Sequence, residues 1–143
     1  MQQQVNVVKT INETDAKVWQ LISAINGLER WFSIITQCDV QGAGIGAVRT
    51  LELKGGAKMI DTVIEINQQQ QCFRYVRTEM PFPVTDYHGT VMVRKIDAQK
   101  TEITWLAEYV VADAQQAAMY TLISDTLTEG LNGLAQELAG EVL

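Results

Sequence analysis

Arg77 and Asp61 are the charged residues of this chain best placed for binding or catalysis, because each falls on the apolar side of a predicted strand. Alternation places Arg77 in line with Phe73 and Tyr75, and Asp61 in line with Met59. A guanidinium inside a protein is costly unless it meets a carboxylate or an anionic ligand. Two interpretations stay open: Arg77 binds a ligand carboxylate, phosphate or enolate, or it forms a structural ion pair with Asp61.

Three aromatic residues, Tyr75, Tyr87 and Trp105, fall on the inward face of neighbouring strands. Because their polar atoms need partners, we expect them to enclose a ligand, with Gly89 leaving room beside them; ordinary core packing is the alternative. The predicted ligand-contacting residues all face the space between the strands and the last helix: Met59, Asp61, Tyr75, Arg77, Phe82, Tyr87, Gly89, Trp105, Ala107, Ile123, Leu127 and Leu131.

Catalysis would depend on the same residues, since the sequence has no compact catalytic motif. Arg77, Asp61 and Tyr87 are the catalytic candidates: Asp61 or Tyr87 would move protons, and Arg77 would stabilise developing negative charge. His88, the single histidine, falls on the outer face of its strand. Cys38 and Cys72 are far apart without metal-like spacing. We therefore expect no metal site and no cofactor.

Charge and composition exclude several classes of partner. The formal net charge is −6 and the eleven Lys and Arg residues are scattered, which argues against nucleic-acid binding. Gly44 and Gly46 lead into a strand and lack the third glycine of a dinucleotide fingerprint. The amino-terminal residues lack a signal-peptide pattern and no segment is apolar enough to span a bilayer, so we expect a cytoplasmic protein.

The order of elements predicts one α+β domain over residues 1–143. Val5 to Ile11 alternates as a strand, a helix begins at Thr14 or Asp15 and stops at Asn26-Gly27, and a short helical turn covers Leu28 to Trp31. Strands then follow one another from Ile34 to Val111. Turn residues separate them at Gln41 to Gly46, Lys54 to Ala57, Asn67 to Gln71, Pro81 to Pro83 and Asp97 to Lys100. Consecutive hairpins predict an antiparallel sheet.

A long amphipathic helix is predicted to cover this sheet, because apolar residues recur at helical spacing after Asp113. They are Met119, Ile123, Leu127, Leu131, Leu134 and Leu138. Gly130 and Gly133 interrupt the helix at a cost of about 1 kcal/mol each against Ala, which close packing or a bend would explain. Met80 to Pro83, a stiff loop with an apolar ring, is either a gate over the cavity or an ordinary turn.

Several landmarks occur in the same order as in one known superfamily: Ile11, Val18-Trp19, Trp31, Gly44-Ile45-Gly46-Ala47-Val48-Arg49, Tyr75, Tyr87-His88-Gly89 and Thr104-Trp105. Over nearly its whole length the chain resembles the START-like or SRPBCC superfamily, also called birch-pollen-allergen-like, and within it the bacterial polyketide cyclase/dehydrase-like branch. The resemblance implies a helix-grip fold, in which a seven-stranded antiparallel sheet wraps around a long carboxy-terminal helix and two short helices separate the first two strands.

Three functions are compatible with this fold, since its members differ widely in what they do. The first is binding of a small hydrophobic or amphipathic molecule in an internal cavity. The second is a cyclase-, aromatase- or dehydratase-like activity that uses Arg77, Asp61 and Tyr87. The third is a protein-interaction domain or a homodimer, whose contact surface would include Leu106, Val110 and Met92 on the outer sheet face.

Overall fold

The structure is a computed structural model that describes residues 1–140, and it contains seven strands and two α-helices. The strands are β1 Gln2–Ile11, β2 Ile35–Gln41, β3 Val48–Leu53, β4 Lys58–Asn67, β5 Cys72–Glu79, β6 Val84–Asp97 and β7 Lys100–Val111. The α-helices are α1 Asp15–Ser23 and α2 Gln116–Gly140, and 3-10 turns cover Leu28–Arg30 and Asp113–Gln115.

All seven strands form one antiparallel sheet in the order β1-β7-β6-β5-β4-β3-β2. Strands β2 to β7 are joined by consecutive hairpins, and β1 completes the sheet by pairing with β7. In the register, Gly89 lies opposite both Tyr75 and Ala107, and Val91 lies opposite Trp105. Opposite residues share a face, so these side chains all point toward the inside of the curved sheet.

Helix α2 lies against the inner face of the sheet and buries the predicted apolar stripe. Its buried residues are Met119, Ile123, Leu127, Gly130, Leu131, Leu134 and Leu138. The predicted fold is therefore confirmed, with the two short helical segments between β1 and β2.

Neither helix of the described chain combines the length and apolarity needed to cross a membrane.

Two glycines of α2, Gly130 and Gly133, are explained by close packing against the segment that follows the Leu28–Arg30 turn. A Cβ atom on Gly130 would overlap the ring of Phe32. A Cβ atom on Gly133 would lie 2.7 Å from the backbone of Trp31. A residue with a Cβ atom at position 130 or 133 would prevent the helix from lying this close to residues 31–32.

The carboxyl end of α1 differs from the prediction. The helix ends at Ser23 with Ala24 as its cap, so the predicted stop at Asn26-Gly27 is three residues too late. Ile25 takes a left-handed conformation with φ of 73°, which is rare for a β-branched residue. Its carbonyl oxygen accepts a hydrogen bond from Arg49, a buried residue of β3, which is a tertiary contact that local sequence does not reveal.

Candidate functional site

Three charged residues form a row across strands β3, β4 and β5. Arg49 lies opposite Asp61, and Asp61 lies opposite Arg77. The carboxylate of Asp61 is fully buried and binds both neighbours: Arg77 Nε donates to Oδ1 at 2.7 Å, and Arg49 Nη2 donates to Oδ2 at 2.8 Å. The predicted contact between Arg77 and Asp61 is present, and Arg49 is an additional partner.

The carboxylate of Asp61 and the guanidinium of Arg77 stay ionised. Burial alone would raise the pKa of Asp61, but the charges of Arg77 and Arg49 outweigh it and hold that pKa below its usual range. Burial alone would lower the pKa of Arg77, but the charge of Asp61 raises it above the ordinary value. Within residues 1–140, neither guanidinium pairs with a second carboxylate. The cluster therefore holds two positive charges and one negative charge.

The two arginines differ in what they offer to a ligand. Arg49 uses all three nitrogens, because Nε and Nη2 bind Asp61 and Nη1 binds the Ile25 carbonyl at 2.9 Å. Arg77 binds Asp61 through Nε and Nη2, and its Nη1 has no acceptor in the described part of the chain. The Arg77 guanidinium lies over the ring of Tyr87, 4.7 Å from its centroid. Arg77 is thus the arginine with a spare donor.

A small space lies beside Arg77, between the sheet and the first half of α2. Its volume is about 60 Å³. It is lined mainly by apolar side chains: Leu28, Phe32, Ile35, Leu51, Met59, Tyr75, Arg77, Met80, Phe82, Tyr87, Trp105, Leu122, Ile123, Thr126 and Leu127. We call this space the inner pocket. It has room for a few water molecules, whereas sites for drug-sized ligands typically hold about 300–1,000 Å³.

The aromatic residues of the inner pocket partly satisfy one another. Trp105 Nε1 donates to the Tyr75 hydroxyl at 3.2 Å, so the indole N–H has a hydrogen-bond acceptor without a ligand. A Cβ atom on Gly89 would fall on the Tyr75 ring, which means that the room left by the glycine is filled by that ring. Burial and the neighbouring Tyr75 raise the pKa of Tyr87, whose hydroxyl stays protonated at neutral pH.

Eight of the predicted ligand-contacting residues line the inner pocket: Met59, Tyr75, Arg77, Phe82, Tyr87, Trp105, Ile123 and Leu127. The other four do not line it. Asp61 lies behind Arg77, Gly89 lies under Tyr75, and Ala107 and Leu131 are buried in the surrounding core.

Sequence reasoning missed several residues of the pocket wall: Leu28, Phe32, Ile35, Leu51, Leu122 and Thr126. For Arg49 the sequence leaves the same two alternatives as for Arg77, a ligand contact or a structural ion pair, and the structure shows an ion pair with Asp61. Alternation in β3 could have found Leu51, since it shares a face with Arg49 and Leu53. Phe32 lies in an irregular segment without a period, and no sequence signal points to it.

An outer groove of about 460 Å³ lies on the solvent side of β5 and β6. Three of its residues, Arg77, Met80 and Tyr87, also line the inner pocket. The ladder between β5 and β6 ends at the pair formed by Arg77 and Tyr87. These three side chains therefore separate the inner pocket from solvent at this end of the sheet. His88 lines the outer groove and not the inner pocket.

The described part of the chain has no cluster of metal-ligating side chains. Residues 1–140 contain no group of three or more His, Cys, Asp and Glu side chains placed to hold a metal ion. Cys38 and Cys72 are both free thiols and partly buried. The polar groups on the wall of the inner pocket include a guanidinium, two phenols and an indole.

Comparison with solved structures supports the fold. The protein XoxI from Bacillus cereus is 24% identical, with a TM-score of 0.84 over 94% of each chain. The Zhui aromatase/cyclase from a Streptomyces species is 15% identical, with a TM-score of 0.85 over 100% of this chain and 97% of that one. Norcoclaurine synthase from Thalictrum flavum, solved with dopamine and hydroxybenzaldehyde, is 13% identical, with a TM-score of 0.82 over 98% of this chain and 88% of that one.

Sequence comparison identifies the family. No curated protein matches the chain. A family model described as polyketide cyclase / dehydrase and lipid transport matches residues 2–139, which is nearly the whole chain. This protein therefore belongs to the polyketide cyclase / dehydrase and lipid transport family.

Proposed function

We propose that this protein binds a small hydrophobic or amphipathic molecule in the inner pocket, with Arg77 receiving its polar group. The observation that carries the proposal is the spare Nη1 donor of Arg77, which belongs to a partly buried guanidinium on the wall of an otherwise apolar space. The Arg77 side chain is 9% exposed, so Nη1 is open to solvent, and a ligand oxygen can replace water as its acceptor. The apolar wall would hold the rest of the molecule.

The size of the inner pocket requires that binding moves side chains. A space of about 60 Å³ cannot hold even a benzene ring, for which a cavity of about 150 Å³ suffices. Met80, Phe82 and Leu122 line the pocket and are only partly buried, so they can move without exposing the centre of the core. Met80 and Phe82 belong to the loop between β5 and β6, and methionine adapts readily to a new shape. We expect this loop to open when a ligand enters.

NMR titration with octanoate and octanol tests the proposal, because Trp105 provides an indole signal in the pocket wall. Both compounds are expected to shift the Trp105 indole signal and to leave that of Trp19, whose Nε1 binds Gln68 elsewhere, unchanged. In Leu122→Trp the added ring fills the pocket, and we expect the affinity to fall at least tenfold.

The matched control is Tyr120→Trp, which adds an indole at an exposed position of the same helix and should bind as the wild type does. Extraction of the purified protein followed by mass spectrometry would identify any molecule acquired in the cell. If neither compound shifts the Trp105 signal, or if Leu122→Trp binds as tightly as the wild type, the proposal is wrong.

A second candidate function is catalysis on an enolisable substrate, favoured by the contact between Arg77 and Tyr87 in the pocket wall. Arg77 would stabilise an enolate, and Tyr87, with its raised pKa, would act as a proton donor rather than a base. Asp61 would hold Arg77 in place, because both its oxygens are occupied by guanidinium donors. Turnover of a linear poly-β-ketone would separate this candidate from simple binding.

A further inference from the structure

Arg49 is fully enclosed and has no contact with the inner pocket. Its side chain is 2% exposed, and all its nitrogens are occupied by Asp61 and by the carbonyl of Ile25. It lies over the ring of Tyr75 at 4.9 Å, on which Arg77 also lies, at 5.4 Å. Arg49 therefore cannot bind a ligand in the pocket directly.

The charge of Arg49 nevertheless determines the charge of the whole cluster. Asp61 neutralises one guanidinium, so the second leaves one positive charge in the interior. Tyr87 does not supply the missing negative charge, because its pKa is raised. Within residues 1–140, no other carboxylate binds the cluster. A charge in this environment interacts with other charges over several ångströms, since little water is present to screen it.

We propose that Arg49 determines ligand specificity at a distance: its charge makes the inner pocket select a molecule with one negative charge over its neutral analogue. This inference rests on the proposed function, because it assumes that the pocket is occupied. Without Arg49, Asp61 would neutralise Arg77, and the pocket would keep its spare donor but lose its net charge. Arg77 therefore orients the acidic group of the ligand, and Arg49 supplies the charge that makes an acid preferable.

A purely structural role for Arg49 makes a different prediction. In that case Arg49 anchors the left-handed turn at Ile25, and its removal would weaken the binding of acids and neutral molecules alike. Leu28 and Phe32 follow this turn and line the pocket, so removal of the Arg49 side chain would lower the affinity for every ligand. The ratio of two affinities separates the roles, whereas a single affinity does not.

The experiment compares octanoate with octanol at neutral pH by NMR titration of the Trp105 indole signal in four proteins. The wild type should prefer octanoate. Arg49→Met should reduce the ratio of the two affinities by about tenfold or more, because one unit charge is lost. The double variant Arg49→Met/Asp61→Asn has Arg77 as its remaining charge and should recover the wild-type ratio. Arg49→Lys retains the charge without the branched contacts and should also keep it.

Each outcome decides the inference. An unchanged ratio in Arg49→Met, or a ratio in Arg49→Lys as low as in Arg49→Met, would show that Arg49 is structural. A wild-type protein that binds both compounds equally would overturn the inference and leave the proposed function standing, whereas one that binds neither at Trp105 would overturn both. If circular dichroism shows that Arg49→Met is unfolded, Arg49→Gln takes its place, since its amide can still donate to Asp61.

Discussion

The two halves of α2 use one apolar stripe for different purposes. In the second half, Leu131 and Leu134 are essentially inaccessible, at 1% and 0% exposure, and Gly130 and Gly133 bring the helix against residues 31–32. In the first half, Ile123 and Leu127 face the inner pocket. The same helical period in α2 therefore covers both a tightly packed core and a space that a ligand could occupy.

The difference between the two halves arises from their neighbours. Beside the second half, Gly130 and Gly133 permit the close approach of Phe32 and of the Trp31 backbone. Beside the first half, the facing residues include Met80 and Phe82 of a loop and the guanidinium of Arg77, which do not interlock with the helix in the same way. Stability should therefore depend mainly on the second half, and ligand affinity on the first.

The largest effect that tests this division is expected for Leu134→Ala. The side chain is fully buried, so its truncation should lower the free energy of unfolding by about 3–5 kcal/mol. Leu122→Ala, at the half-buried pocket wall, should cost about 1 kcal/mol or less because the site borders existing space. Urea unfolding followed by circular dichroism measures both. Equal losses would mean that the two halves do not differ in packing.

A smaller effect is expected for Gly133→Ala. The added methyl group meets the backbone of Trp31, which cannot turn aside, so the free energy of unfolding should fall by about 1–3 kcal/mol despite the better helix propensity of alanine. Gly140→Ala is the matched control, because no atom of the described residues lies within 4 Å of its added Cβ. That variant should be unchanged or slightly more stable in the same unfolding assay. A stabilised Gly133→Ala would contradict the close approach.

The smallest effect concerns Thr126, whose hydroxyl donates to the Leu122 carbonyl at 2.7 Å on the wall of the inner pocket. Thr126→Val should change stability by no more than about 0.5 kcal/mol, because the carbonyl lies within the helix. Its more apolar wall should raise the affinity for octanol about two- to threefold by NMR titration. Thr128→Val removes the same kind of bond, to Ser124, at an exposed position outside the pocket. An equal gain there would place the octanol site elsewhere.

Most of the architecture could be predicted from the sequence, because the strands and α2 have clear periods. The five predicted breaks coincide with the turns between β2 and β7, and His88 lies on the outer face as expected. The turn at Ile25 could not be predicted, since a left-handed conformation is rare for isoleucine and the hydrogen bond that Arg49 donates to its carbonyl exists only in the folded chain. Phe32 likewise reaches the pocket from an irregular segment.

Local periodicity indicates the inward face of β4 to β7 and a long helix that covers the sheet. Which inward residues meet depends on the register between strands, which is a property of the fold. A β-bulge follows the pair formed by Ile60 and Glu79, and it moves Asp61 from a place opposite Thr78 to one opposite Arg77. Alternation reports the face of a strand and not its partner across the ladder. The row from Arg49 through Asp61 to Arg77, with its unbalanced charge, is therefore a product of the register.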